Sequence, residues 1–238
     1  MIYIFDIDGT LTPSRSRIDE DFKSFFLNFM KYKKVWLITG SDKAKTIEQV
    51  GEEIWMKADR AYQCCGNQVW SKGELLKDSH WELPIDIRFQ LEQFLERSEY
   101  PHRFGNHIEE RVGLVNFSIV GRNCDQEQRK NYFEWDNKKD ERLKFAKEIK
   151  ETFPGIDASV GGQISIDIYP LGKDKAQVID DIEGNFTFFG DKLEKGGNDY
   201  PVLLENSRRE LQGNEFFNVK SWKDTRNLLY SISTEGII

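Results

Sequence analysis

The chain has 238 residues, enough for one large domain or two smaller ones with their own cores, and too many for a miniprotein held by staples. Hydrophobic residues make up 38%, charged residues 32% and aromatic residues 13%, a balance that folds rather than stays disordered. With 34 Lys plus Arg against 41 Asp plus Glu the net charge is −7, the wrong sign for a general nucleic-acid or membrane-surface binder.

Met1-Ile2-Tyr3-Ile4-Phe5 is a short apolar run that stops at Asp6 and reads as a fully buried strand. A helix follows over Ile18 to Lys31, where Phe22, Phe25, Phe26 and Phe29 share one face. Val35 to Ile38 is a second buried strand, ending in Thr39-Gly40-Ser41-Asp42, with a helix from Lys43 to Glu53 behind it. The βαβα order implies a parallel sheet.

The middle of the chain reads differently. Val69 to Leu76 has a hairpin pattern, and a helix over Ile85 to Glu96 follows Pro84. Val112 to Val120 and Gln163 to Tyr169 are strand-like. Between them Asp125 to Phe153 is polar and helical in period, opened by a capping box of Asp125 and Gln128. The α/β pattern then returns, with a helix over Ala176 to Ile182, a buried strand over Phe186 to Phe189 and a last helix over Trp222 to Ser231. The layout is an α+β insert in a discontinuous α/β core.

No apolar run approaches the ~18 residues of a membrane span, and the opening strand meets an acid at once, unlike a secretory signal, so a cytoplasmic setting without membrane or nucleic-acid partners is expected. Cys64, Cys65 and Cys124 are odd in number and lack C-x-x-C spacing, which predicts buried thiols. His80, His102 and His107 are scattered, without the spacing of a zinc site.

Open α/β sheets bind ligands beyond the carboxyl ends of their strands. There, Asp6 and Asp8 project to one side of an extended segment while Ile7 packs away. Gly190-Asp191 ends the later strand, and Asn198-Asp199 adds oxygen ligands. Hard oxygen donors without His or Cys suit Mg²⁺.

Asp6-Ile7-Asp8-Gly9-Thr10, Thr39-Gly40-Ser41, Lys175, and Gly190-Asp191 with Asn198-Asp199 resemble, in order and spacing, the four motifs of the haloacid dehalogenase (HAD) superfamily of phosphotransferases. Val120 to Arg129 and Gly161 to Asp167 narrow the resemblance to the eukaryotic-type phosphomannomutases, with their type IIB cap, almost end to end.

The resemblance implies a HAD-like core of doubly wound parallel sheet at residues 1–80 and 173–238, and an α+β cap at residues 81–172 with hinges near 80 and 172. It implies Mg²⁺ on Asp6, Asp8 (through its main-chain carbonyl), Asp191, Asn198 and Asp199, and a hexose 1,6-bisphosphate activator. Asp6 would be the nucleophile that becomes an aspartyl-phosphate, and Asp8 the general acid and base. Lys175 would steady the phosphoryl group, with either Thr39 or Ser41 supplying a further donor. Arg15, Arg111, Arg122, Arg129, Ser165 and Asp167 would hold the far phosphate and the sugar.

The implied activity is interconversion of mannose 6-phosphate and mannose 1-phosphate. A sugar-phosphate phosphatase of the same fold is the rival, and a phosphoacceptor receiver module a rival of another class. The chain departs from the family pattern at Thr39, where a glycine is usual. It departs again at Cys64-Cys65-Gly66-Asn67, where Glu-Asn-Gly is common; the missing acid removes any contact it makes between core and cap. Ile85 to Tyr100 matches less closely, in the part of the cap that tends to form the family's dimer seam, so a homodimer through the cap is an expectation of the resemblance.

Overall fold

The computed structural model describes residues 1–235 and holds two sheets. The larger has seven strands: β1 (Ile2–Asp6), β2 (Lys34–Ile38), β3 (Arg60–Gln63), β4 (Gln68–Ser71), β5 (Glu74–Asp78), β10 (Phe186–Gly190) and β11 (Glu215–Asn218), in the order β11-β10-β1-β2-β3-β4-β5. The first three and last two are parallel, and β4 and β5 are antiparallel additions. The smaller sheet is antiparallel, with β6 (Ile108–Arg111), β7 (Leu114–Phe117), β8 (Ile156–Gly161) and β9 (Ser165–Pro170) in the order β6-β7-β9-β8. This is the mixed α/β class with a parallel core that the sequence implies.

Every residue of β1 is buried, because helices cover both faces of the sheet. Tyr3 and Phe5 point to one face, where α1 (Glu20–Phe29) lays Phe22, Phe26 and Phe29; Phe26 meets the Phe5 ring edge-on at 5.1 Å. Each buried phenyl contributes roughly 1.5–3 kcal/mol. Asp19 caps α1 by accepting from Phe22 N at 3.0 Å. Ile2 and Ile4 face the opposite core with Trp36, Ile38, Tyr62 and Phe188. In the smaller sheet α4 (Ile85–Arg97), α5 (Gln126–Lys139) and α6 (Glu141–Thr152) pack Leu91, Phe94, Tyr132, Phe145 and Ile149 on Val115, Phe117, Ile166 and Ile168. The alternate residues Asn116, Ser165 and Asp167 therefore take the other face.

Several sequence expectations are corrected. The helix expected over Lys43 to Glu53 is two, α2 (Lys43–Val50) and α3 (Glu52–Lys57), parted by Gly51 at φ +84°. The strand expected over Val112 to Val120 is the second arm of a hairpin that turns at Val112-Gly113, Gly113 at φ +67°. The helical stretch from Asp125 breaks at Asp140, which is left-handed at φ +54°. Lys175–Asp181 forms 3-10 turns instead of an α-helix; Lys175, Gln177, Val178 and Ile179 are all buried, so the segment is a tight connector enclosed on most sides and has no amphipathic stripe. Strands β6, β8 and β11 and helix α7 (Tyr200–Arg208) add to the expected elements, although Ile156-Asp157-Ala158-Ser159-Val160 of β8 alternates apolar and polar residues, and α8 (Trp222–Glu235) closes the described chain. Among the described residues no helix is long and apolar enough to cross a membrane.

Candidate active site

The chain leaves β1 toward β2 on one side and reaches β10 on the other, so the carboxyl end of β1 is a topological switch point. Phe5 pairs with Phe189, which brings the carboxylates of Asp6 and Asp191 out at the same sheet edge. Asp6 is 4% exposed and accepts from Lys175 Nζ at 2.6 Å and from Thr10 Oγ1 at 3.5 Å. Lys175 is wholly buried and also donates to Asp199 Oδ1 at 2.7 Å, while Asp199 Oδ2 accepts from Lys192 N at 3.1 Å. One ammonium thus serves two carboxylates, with Asp191 as a third.

Burial pushes Asp6 well above the usual carboxylate range; Lys175 pulls against it, and Asp199 and Asp191 add to the rise. Asp191 is pushed up to about 7 by burial and then by Asp199. Burial works against the Lys175 ammonium, but Asp199 and Asp6 outweigh it and hold it charged. Asp6, Asp191 and Asp199 each place an oxygen within 4.8 Å of the others. Three acids facing one base in an all-oxygen pocket make a donor set that fits Mg²⁺. Gly9, at φ +85°, keeps the pocket open, since a Cβ there would fall 2.4 Å from Asp191 Oδ2.

Asp8 stands at the mouth, its Oδ1 accepting from Arg15 N at 2.6 Å and Gln49 Nε2 at 3.0 Å. Beyond β2, Thr39 Oγ1 accepts from Ser41 N at 3.0 Å, which ties the two hydroxyl residues into one turn. The polar face of the smaller sheet closes over these groups. Asp167 Oδ1 accepts from Asn116 Nδ2 at 2.6 Å; burial raises this carboxyl, with Arg111 pulling it down. Arg111 donates Nη1 to Gly40 O at 2.6 Å and shares the Glu109 carboxylate with Arg122, each at 2.6 Å. Arg122 also reaches Asn116 Oδ1, and Ser165 Oγ at 3.3 Å.

Arg129 differs from these. It is 4% exposed, and among the described residues no carboxylate lies within ion-pair distance of it. Burial and then Arg15 push its guanidinium below its ordinary pKa. Two neighbouring arginines, one of them buried, could hold a doubly charged anion.

Asp6, Asp8, Arg15, Thr39, Ser41, Arg111, Arg122, Arg129, Ser165, Asp167, Asp191 and Asn198 all line one cleft, and Lys175 and Asp199 lie behind its floor. Both oxygens of Asp199 are engaged by Lys175 and Lys192 N. Ser14 and Asn116 line the cleft too, and Glu109 and Gln49 orient groups within it; sequence reasoning missed these four. A lone amide in the apolar run Leu114-Val115-Asn116-Phe117 was a usable signal, whereas Glu109 in Ile108-Glu109-Glu110-Arg111 looks like any solvated edge.

Comparison with known proteins gives this cleft a lineage. The family model of eukaryotic phosphomannomutase matches residues 22–234. Over 216 residues the chain is 32% identical to phosphomannomutase of Saccharomyces cerevisiae, covering 86% of this chain and 85% of that protein. It is 34% identical over 219 residues to phosphomannomutase 1 of Mus musculus, covering 86% and 84%. Among solved structures, a HAD subclass IIB sugar phosphatase superposes with a TM-score of 0.59 at 17% identity, covering 100% of this chain and 99% of that one, a likeness of fold. By sequence over most of its length, and with a fold of the HAD type, this chain belongs to the eukaryotic phosphomannomutase family.

Proposed function

We propose that this protein is a phosphomannomutase, interconverting mannose 6-phosphate and mannose 1-phosphate. The observation that carries the reading is that one cleft brings together two groups: Asp6 and Asp191 backed by Lys175, and the buried Arg129 beside Arg15, with no carboxylate within ion-pair distance of Arg129 among the described residues. A sugar bisphosphate has one phosphate for each. In this reading residues 1–80 and 173–238 are the catalytic core and 81–172 the cap.

Asp6 attacks the phosphorus of a hexose 1,6-bisphosphate, and Asp8 gives its proton to the departing sugar oxygen. The monophosphate product leaves, and an incoming one places the other hydroxyl at the aspartyl-phosphate, with Asp8 now taking the proton. Lys175 neutralises charge on Asp6, and Thr39 or Ser41 donates to a phosphoryl oxygen. Arg111, Arg122, Arg129 and Arg15 grip the far phosphate, and Ser165 and Asp167 meet the sugar hydroxyls. Mg²⁺ held by Asp6, Asp8, Asp191 and Asn198, with Asp199 behind, would lower the repulsion between two anions. A cytoplasmic setting and pairing of two copies through the cap belong to the same proposal; Ile85 and Phe89, 73% and 60% exposed one turn apart on α4, support the latter.

The test is a coupled assay with mannose 1-phosphate and glucose 1-phosphate, Mg²⁺ and a hexose 1,6-bisphosphate, with Asp6→Asn as blank. Conversion to the 6-phosphate that the blank lacks is expected. Release of inorganic phosphate with no conversion would make the protein a phosphatase.

A further inference from the structure

The chain crosses between the sheets after β5 and again after β9, and both crossings converge on one residue. Asn67 is wholly buried. Its Nδ2 donates to Cys64 O at 2.8 Å, Gly113 O at 3.2 Å and Lys173 O at 3.2 Å. Its Oδ1 accepts from Gln177 Nε2 at 3.2 Å, and its main-chain oxygen accepts from Ser79 N at 2.8 Å. Ser79 opens the outward crossing, Lys173 ends the return, and Gly113 is the turn of the hairpin that carries Arg111 into the cleft.

The fit around this amide is built. Gly113 has no Cβ where one would lie 2.6 Å from Asn67 Cβ. Gln177 is itself held by Lys77 Nζ at 2.8 Å. Cys64, Cys65 and Gly66 are all left-handed, at φ +50°, +59° and +90°, an unusual run that turns residue 67 inward. The amide at this turn makes a contact between the two sheets.

We infer that Asn67 is the positioning residue that latches the cap closed and so decides whether the aspartyl-phosphate passes to sugar or to water. This rests on the phosphomannomutase reading above. A closed cleft keeps water from the phosphorylated Asp6 while a sugar monophosphate is bound for the transfer. Without the Asn67 amide the Gly113 carbonyl, on the cap side, loses its Asn67 donor in the closed form and finds water in the open one, so the balance moves toward opening. The phosphorylated carboxylate is then exposed to hydrolysis for a larger part of each cycle.

The experiment measures inorganic phosphate released per sugar interconverted, with bisphosphate-primed wild type and Asn67→Ala at matched fractions folded. The ratio is expected to rise by roughly tenfold or more, equivalent to about 1.4 kcal/mol of closure free energy. A structural role alone would lower conversion and release in parallel, and an unchanged ratio overturns the inference. If Asn67→Ala is recovered unfolded, Gly113→Ala separates the hairpin from the same amide and carries the same expectation. Wild type that converts no sugar refutes the mutase reading; wild type that converts sugar, with variants of unaltered ratio, refutes the latch only.

Discussion

Arg142 offers a sharp test of how the smaller sheet is held. It is 3% exposed and pairs with Asp136, 5% exposed, through Nε at 2.6 Å and its main-chain N at 3.0 Å. Its Nη1 reaches Gly162 O at 3.2 Å and Ser165 O at 3.4 Å, pinning the loop before β9. Arg142→Met leaves a buried carboxylate without its cation, a change that costs about 3–5 kcal/mol. For a chain of this length each kcal/mol moves the melting temperature by roughly 2–4 °C, so the loss is about 6–20 °C. Asp136→Leu combined with Arg142→Met removes the stranded charge and is expected to recover at least ~2 kcal/mol, since replacing both partners of a buried pair is often close to neutral. Thermal and urea unfolding followed by circular dichroism reads both variants. A single variant within ~1 kcal/mol of wild type, or a double variant as unstable as the single, would refute the reasoning.

Other expectations follow from the same geometry. Arg129→Met removes a buried guanidinium that has no carboxylate partner among the described residues, so it should raise stability by about 1–2 kcal/mol while lowering kcat/KM by at least ~100-fold; a lower melting temperature would contradict this. Mg²⁺ should raise the melting temperature through the crowded carboxylates, and Asp191→Asn should abolish that rise in the same titration. Burial pushes the Cys64 thiol up to about 12 and raises the Cys65 thiol well above its ordinary value, so at pH 8 only about one Cys64 in 10⁴ is a thiolate. DTNB should therefore titrate one thiol, Cys124, quickly in the native protein and all three after unfolding; three fast equivalents would refute the buried placement.

What could be read in the sequence was what physics writes locally. Buried parallel strands such as Ile2–Asp6 and Phe186–Gly190 are continuous apolar runs, and the phenylalanines of α1 mark its face by spacing alone. The carboxylates at those strand ends followed from the runs themselves. Less legible were elements whose inward face is polar because it belongs to the cleft or to an ion pair. Helix α5 buries Arg129, Tyr132 and Asp136, and so carries no apolar stripe despite its clear capping box. Strand β6 is Ile108-Glu109-Glu110-Arg111, and two of those four residues serve the arginine network. Asn67 reaches Gly113 and Lys173 across long sequence separations, and nothing near it announces those partners.

The bond from Arg111 to Gly40 O has a kinetic consequence. With this guanidinium on the opposite loop the two sheets are tied across the cleft, so in the proposed reaction a sugar phosphate enters only when the bond lets go. Admission then depends on spontaneous gaping, and apparent affinity is the intrinsic value scaled down by the gaping fraction. Association should be gated rather than diffusion-controlled, and ligands too bulky to be enclosed should trap the gaping form.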